Sequence, residues 1–267
     1  MSSLKNIVCV LASQVLMGSF AYSADSLEAV QMQFSQRANG QLQQWSLVIG
    51  DDRVVTVDVN GQELSIFDAA DGKLYTLDHA AHSYRISDSQ SVRQAALRVQ
   101  QGMSAIESRI AELPESQQSQ IRQRLMASFP QRQEAKGDSK FVSSGKSGAF
   151  AGVDCQWFET VVDGIATGQI CATAPDQLEG GATLHSMLTS ISDMYAEMEK
   201  ADLGGIALPI PENPMAPVAR LGLIPVKMEQ YGDGEAGAGP DVELLSISQQ
   251  LINPAALQLP SGYTLQE

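Results

Sequence analysis

The residues whose types could do chemistry are few, and their spacing suits none of the familiar sites. His79, His82 and His185 are the only histidines in 267 residues. His79 and His82 lie three apart between two strand-like runs, and no Cys or acidic neighbour completes a metal-site spacing. Gly145-Lys146-Ser147 looks like the tail of a phosphate-binding loop, but that loop requires Gly where Lys140 stands. The Gly-x-Ser-x-Gly elbow of hydrolases is missing. Asp233, Glu235 and Asp241 crowd a glycine-rich stretch without the alternation of an EF-hand loop, and they read as solvated carboxylates. No carboxylate pair is singled out for glycoside chemistry, whose partners meet only on folding. This inventory predicts no cofactor, no metal ligands and no catalytic residues, and so a non-enzymatic protein. A hydrolase without a recognisable motif stays open as an alternative.

The cysteines carry a sharper expectation. Residues 1–23 read as a secretory signal peptide. Lys5 supplies the positive start, an apolar run follows from Ile7, and Ala21-Tyr22-Ser23 has the small-x-small form of a cleavage site. Ser13 and Gln14 break the apolar run, which then falls short of the roughly 18 residues a membrane span needs. Cys9 leaves with this segment. The mature chain, 24–267, keeps Cys155 and Cys171, and an even count in an oxidising compartment predicts a disulfide. Two strand-like runs flank Val162-Asp163-Gly164. A three-residue loop ending in a left-handed Gly pairs Val161 with Ile165 and sets Cys155 opposite Cys171, both thiols on one face. A two-residue Asp163-Gly164 loop shifts the register by one and puts them on opposite faces. The spacing is too long for a redox-active Cys-x-x-Cys pair, so the bond is read as structural.

The elements around these cysteines are mostly strands. From 28 to 87 apolar and polar residues alternate: Val30, Met32 and Phe34, then Trp45, Leu47 and Ile49, then Val55, Val57 and Val59 with Thr56 and Asp58 between them. Asn60-Gly61 and Asp71-Gly72 punctuate an antiparallel meander. Ile66-Phe67 and Leu74-Tyr75 are apolar on both faces, so the sheet needs cover on both sides. The period then changes. Val92, Ala96, Val99, Met103, Ile106, Ile110 and Leu113 form a heptad-like seam, read as part of an amphipathic helix pair packed on the sheet. Pro114 separates the two helices. A third helix presents Met187, Met194 and Met198 on one face, either plain core or an adaptable binding surface. Two more strands follow, near 223–231 and 242–250. The fold class is α+β: a single domain over 24–267, with a curved antiparallel sheet, a half-barrel, and helical insertions at about 89–129 and 183–201 packed on or inside it.

Charge narrows the partners. Against 17 Lys+Arg stand 31 Asp+Glu, a formal net charge of -14. That argues against nucleic acid and against an anionic membrane surface. The signal peptide points to the periplasm, with the extracellular space as second choice, and the mature chain shows no transmembrane segment.

Four short blocks resemble a family of exported bacterial proteins of unknown function. The first runs Asp52-Arg53-Val54-Val55-Thr56-Val57-Asp58 and Ser65-Ile66-Phe67-Asp68. The second is Tyr75-Thr76-Leu77-Asp78-His79 with Tyr84 five residues on. The third is Ala151-Gly152-Val153-Asp154-Cys155-Gln156-Trp157-Phe158 with Cys171-Ala172. The fourth is Leu259-Pro260-Ser261-Gly262-Tyr263. More distantly, the plan is similar to periplasmic lipoprotein carriers, curved half-barrels whose concave apolar face is closed by helices. The resemblance implies a lipid or other apolar ligand and carries over no catalytic residue. On it, Phe34, Trp45, Met187, Met194 and Met198 are the candidate ligand-lining residues. The alternative is an envelope protein-interaction or structural module that uses the helices at 89–129.

Overall fold

A computed structural model of the chain describes residues 26–38, 41–128, 139–200, 215–231 and 241–266. The signal-peptide reading of residues 1–23 lies outside them. Six strands open the fold: β1 (Leu27–Ala38), β2 (Gln41–Ile49), β3 (Arg53–Asp58), β4 (Glu63–Asp68), β5 (Lys73–Asp78) and β6 (Ser83–Ser87). They pair consecutively as the predicted meander. Helices α1 (Ser89–Ala111) and α2 (Glu115–Ser128) follow, then β7 (Ser139–Phe150), β8 (Val153–Val162) and β9 (Ile165–Thr173). After α3 (Gly181–Lys200) and the short α4 (Ala216–Ala219) come β10 (Ile224–Gln230), β11 (Asp241–Ile252) and β12 (Thr264–Leu265).

All twelve strands belong to one sheet, in the order β12-β6-β5-β4-β3-β2-β1-β11-β10-β9-β8-β7. Every pairing is antiparallel except β12 on β6. The sheet is open, with β12 and β7 as its edges, and curved: β7 comes close to β11 although three strands lie between them. The first strand sits at the centre because it accepts β11 on one side and β2 on the other. Met32 and Phe34 are accordingly among the most buried side chains.

The sheet is covered on both faces, as its two-sided strands require. On one face α3 sets Leu184, Leu188, Ile191 and Met194 against Met32, Phe34, Leu47, Val54 and Phe67 in the main core. On the other, Val55 and Ile66 form a smaller cluster under Leu257, with Leu27, Tyr75 and Leu259 packed around it. α1 begins with a capping box, in which the Asp88 carboxylate accepts from Ser91 N and Ser91 Oγ accepts from Asp88 N. Its seam packs mainly on α3 and not, as the pattern suggested, flat on the sheet. Arg93 of α1 reaches Glu197 of α3 at 2.8 Å. Only the N-terminal half of the seam, Val92 and Ala96 with Val99 and Met103 beside them, joins the main core. The C-terminal half pairs with α2, where Arg122 meets Glu107 at 3.0 Å.

The hairpin that carries the disulfide corrects the expected register. Cys155 and Cys171 are bonded, with Cα atoms 5.4 Å apart. The turn, however, has two residues: Asp163 and Gly164 both have positive φ, and Val162 pairs with Ile165. A bulge between Thr160 and Val161 in the pairing, which leaves Thr167 over on β9, then adds a second one-residue shift. Two shifts restore the face that one would have lost. Cys171 therefore lies opposite Trp157, and the cysteines bridge diagonally instead of directly across. β7, a run rich in serine and glycine, is a full strand with its own break in register between Ser143 and Ser147.

Candidate functional site

A groove of about 780 Å³ opens between β2–β5 and α3. Its floor follows from register. The row Ile49, Val54, Phe67 and Leu74 runs across β2–β5 and is buried, and Leu74 is its member that reaches the groove. The next row outward is Leu47, Thr56, Ser65 and Thr76, where side chains shorten and gain hydroxyls. The last is Trp45 with Asp58. Met187 and Ile191 of α3 and Met215 form the opposite wall. The lip is apolar and open: Leu42 is 60% exposed, Val59 70% and Leu64 43%.

Several ties hold this frame. Thr183 Oγ1 donates to Asp51 O at 2.9 Å, fixing the start of α3 on the β2–β3 turn. His185 Nε2 lies 3.1 Å from Ala219 O, and Arg220 donates to Ser192 Oγ and O, which docks the segment after Met215 on α3. At the outer end the Asp58 carboxylate accepts from Asn60 N and Gln62 N, both at 2.8 Å, and from Asn60 Nδ2 at 3.1 Å. The Gln62 N–H, followed by the Asn60 donors, holds the Asp58 carboxyl below the ordinary carboxylate range. It stays anionic and is already occupied by its turn.

Of the sequence-predicted lining residues, Trp45 and Met187 line the groove. Phe34 lies behind Trp45, stacked on it at 4.5 Å between centroids, and is buried. Met194 is buried in the main core. The side chain of Met198 lies outside the described residues. The hydroxyl row escaped the sequence reading because strand polarity changes phase. In β2 the apolar set Trp45, Leu47 and Ile49 faces α3; in β3 the apolar set Val55 and Val57 faces away, and Thr56 faces α3. Alternation along one strand cannot reveal that, but pairing Leu47 with Thr56 does.

The blocks that carry the family resemblance are structural ties. Arg53 donates to Asp68 at 3.0 Å and to Leu257 O at 3.1 Å, and Asp68 also accepts from Ala70 N and Asp71 N. His79 Nε2 meets Glu63 O, so that nitrogen carries the proton, and Nδ1 accepts from Tyr263 Oη at 2.6 Å. The second and fourth blocks thus meet, 184 residues apart in sequence. Beneath the C-terminal segment a second cavity of about 640 Å³ is lined by Arg53, Ile66, Tyr75 and Leu257.

Among the described residues no three His, Cys, Asp or Glu side chains gather as a metal site. Asp241, from the acidic loop, accepts from Gln230 N at 3.3 Å, while Asp233 and Glu235 lie outside the described residues. No described helix is long and apolar enough to cross a membrane. No family model and no curated protein matches the sequence. A structure of PNGF-II in a C2 crystal form is similar at a TM-score of 0.38 and 8% identity, over 90% of this chain and 31% of that one. The chain spans under a third of that neighbour, and so slight a likeness carries no argument. The groove's own chemistry remains: apolar walls, three short hydroxyls, the amides of Gln36, Gln43 and Gln44, and one carboxylate already bonded to its own turn.

Proposed function

We propose that the protein is a non-enzymatic binding protein of the periplasm that holds a lipid or other apolar ligand in the β2–β5/α3 groove, in the manner of a carrier half-barrel. The observation that carries this reading is the groove's volume, about 780 Å³, combined with an apolar floor and an exposed apolar lip. That volume falls within the roughly 300–1,000 Å³ of ligand sites. Exposed leucine and valine at a cavity mouth are costly in water unless something covers them. The disulfide supports export to an oxidising compartment. The test is native mass spectrometry of protein purified from periplasm, with organic extraction of what it carries. A co-purified acyl lipid is the expected result. Recovery of no lipid, with no binding of a fluorescent acyl-chain probe, would overturn the reading.

A second reading, an envelope protein-interaction module, draws on the α1–α2 pair, which leaves Leu97 and Ile121 exposed. It gains if protein and not lipid co-purifies.

A further inference from the structure

We infer that the groove, on the lipid-binding reading just proposed, selects an acyl chain with an uncharged hydrogen-bonding head group, such as an amide, ester or alcohol, over a carboxylate. Three observations point there. First, Thr56, Ser65 and Thr76 stand side by side on three adjacent strands and face the groove. None of these hydroxyls has a side-chain partner among the described residues, so each is available both to donate and to accept. Secondly, no Lys, Arg or His lines the groove among the described residues. A desolvated carboxylate left without a cation is strongly disfavoured. Thirdly, the charge that is present has the wrong sign for an anion. Asp58 stands at the outer row, and the whole chain carries a formal -14.

Two cations stand opposite lining residues in register, Arg37 across from Leu42 and Arg85 across from Thr76. Both are exposed and neither lines the groove. A cationic head is the other possibility that Asp58 raises. Its carboxylate already accepts three hydrogen bonds from its own turn, which lowers its value to an incoming amine.

The experiment is displacement of N-phenylnaphthylamine, an uncharged apolar fluorophore, by palmitate, palmitamide and palmitylamine at about pH 8, where palmitate is ionised. Palmitamide is expected to displace the probe at roughly one-tenth the concentration palmitate needs, since a hydrogen-bonded head replaces an unpaired charge. In Ser65→Ala/Thr76→Val the advantage of the amide over palmitate, read as the ratio of their displacing concentrations in the same variant, should shrink to about twofold. Palmitate or palmitylamine matching or beating the amide would overturn this inference while leaving lipid binding standing. Loss of palmitate binding in Arg37→Gln or Arg85→Gln would then identify the anion's partner. An amide advantage that survives loss of the two hydroxyls would overturn it too. Failure of the probe and all three chains to bind would remove the groove reading itself, and the inference with it.

Discussion

Across β8, β9, β10 and β11 one row of side chains reads Trp157, Cys171, Lys227 and Glu243; across β2, β3, β4 and β5 another reads Leu47, Thr56, Ser65 and Thr76. The first row is closed by its own bonds. Cys171 is joined to Cys155, and Lys227 reaches Glu243 at 2.5 Å and Glu229 at 3.7 Å. Its ammonium lies 5.9 Å from the Phe150 ring, which meets Trp157 edge-on. Gly148 lies so close that an added Cβ would come within 2.8 Å of Trp157 and 3.2 Å of Cys171 Sγ. In the second row the hydroxyls of Thr56, Ser65 and Thr76 have no hydrogen-bond partner among the described residues, and a groove opens above them. The backbone is the same antiparallel ladder in both places. Side-chain length and bonding decide which end is filled and which is left open as a groove.

If that division is right, the covalent end can be weakened without touching the groove. Cys155→Ser/Cys171→Ser removes a bridge between positions 16 apart, which should cost about 3 kcal/mol of stability by the usual loop-closure argument. Thermal unfolding is expected to show the loss, while probe affinity at a temperature where the variant is folded stays within about twofold. A collapse of binding would show that the two ends are coupled.

The opposite test weakens the groove end alone. Asp68→Ala removes the acceptor for Arg53, Ala70 N and Asp71 N, and should cost about 2 kcal/mol because it strands donors in a partly buried site. Hydrogen exchange should quicken in β3–β5 and the C-terminal segment, with β8–β9 unchanged. Uniform quickening would mean that the sheet opens as one unit and has no separate ends.

How much of this was legible beforehand depends on whether the signal was local. The meander was, because Asn60-Gly61 and Asp71-Gly72 set each turn from within its own hairpin. So was the α1 seam, whose Val92 and Ala96 are buried as their spacing requires. The disulfide was legible, but its register was not. Asp163-Gly164 announces a two-residue turn, and nothing in Thr167 announces the bulge that compensates for it. The pairing of β1 with β11 joins residues more than two hundred positions apart and has no local trace. β7 was missed because its serines and glycines give no strand periodicity; its ladder with β8, not its composition, makes it a strand. The candidate site suffered most. Trp45 drew notice through strand alternation and Met187 through its apolar helical face, whereas Thr56, Ser65 and Thr76, which line the groove, look like solvent-facing positions until β3 is paired with β2.

The smallest effect probes how much strain the filled end carries. The β7–β8 turn places Ala151 at φ 51° before Gly152 at φ 80°, with Phe150 paired to Val153. An alanine in the left-handed region costs roughly 1 kcal/mol against a residue that enters it freely, because Cβ crowds the carbonyl oxygen that follows it. Ala151 is exposed, so replacing it removes no packing. Ala151→Asn keeps a side chain and tolerates the conformation, whereas Ala151→Gly relieves the strain but frees the unfolded chain. Asn is therefore expected to raise stability by about 1 kcal/mol and Gly by about half of that. Both variants should bind the probe as the wild type does, since the turn lies on strands that do not line the groove. The order of the two variants is the informative part. Gly above Asn would mean that Cβ itself is the obstacle at this turn, and Asn above Gly that the backbone angle is tolerable once the side chain can hydrogen-bond locally.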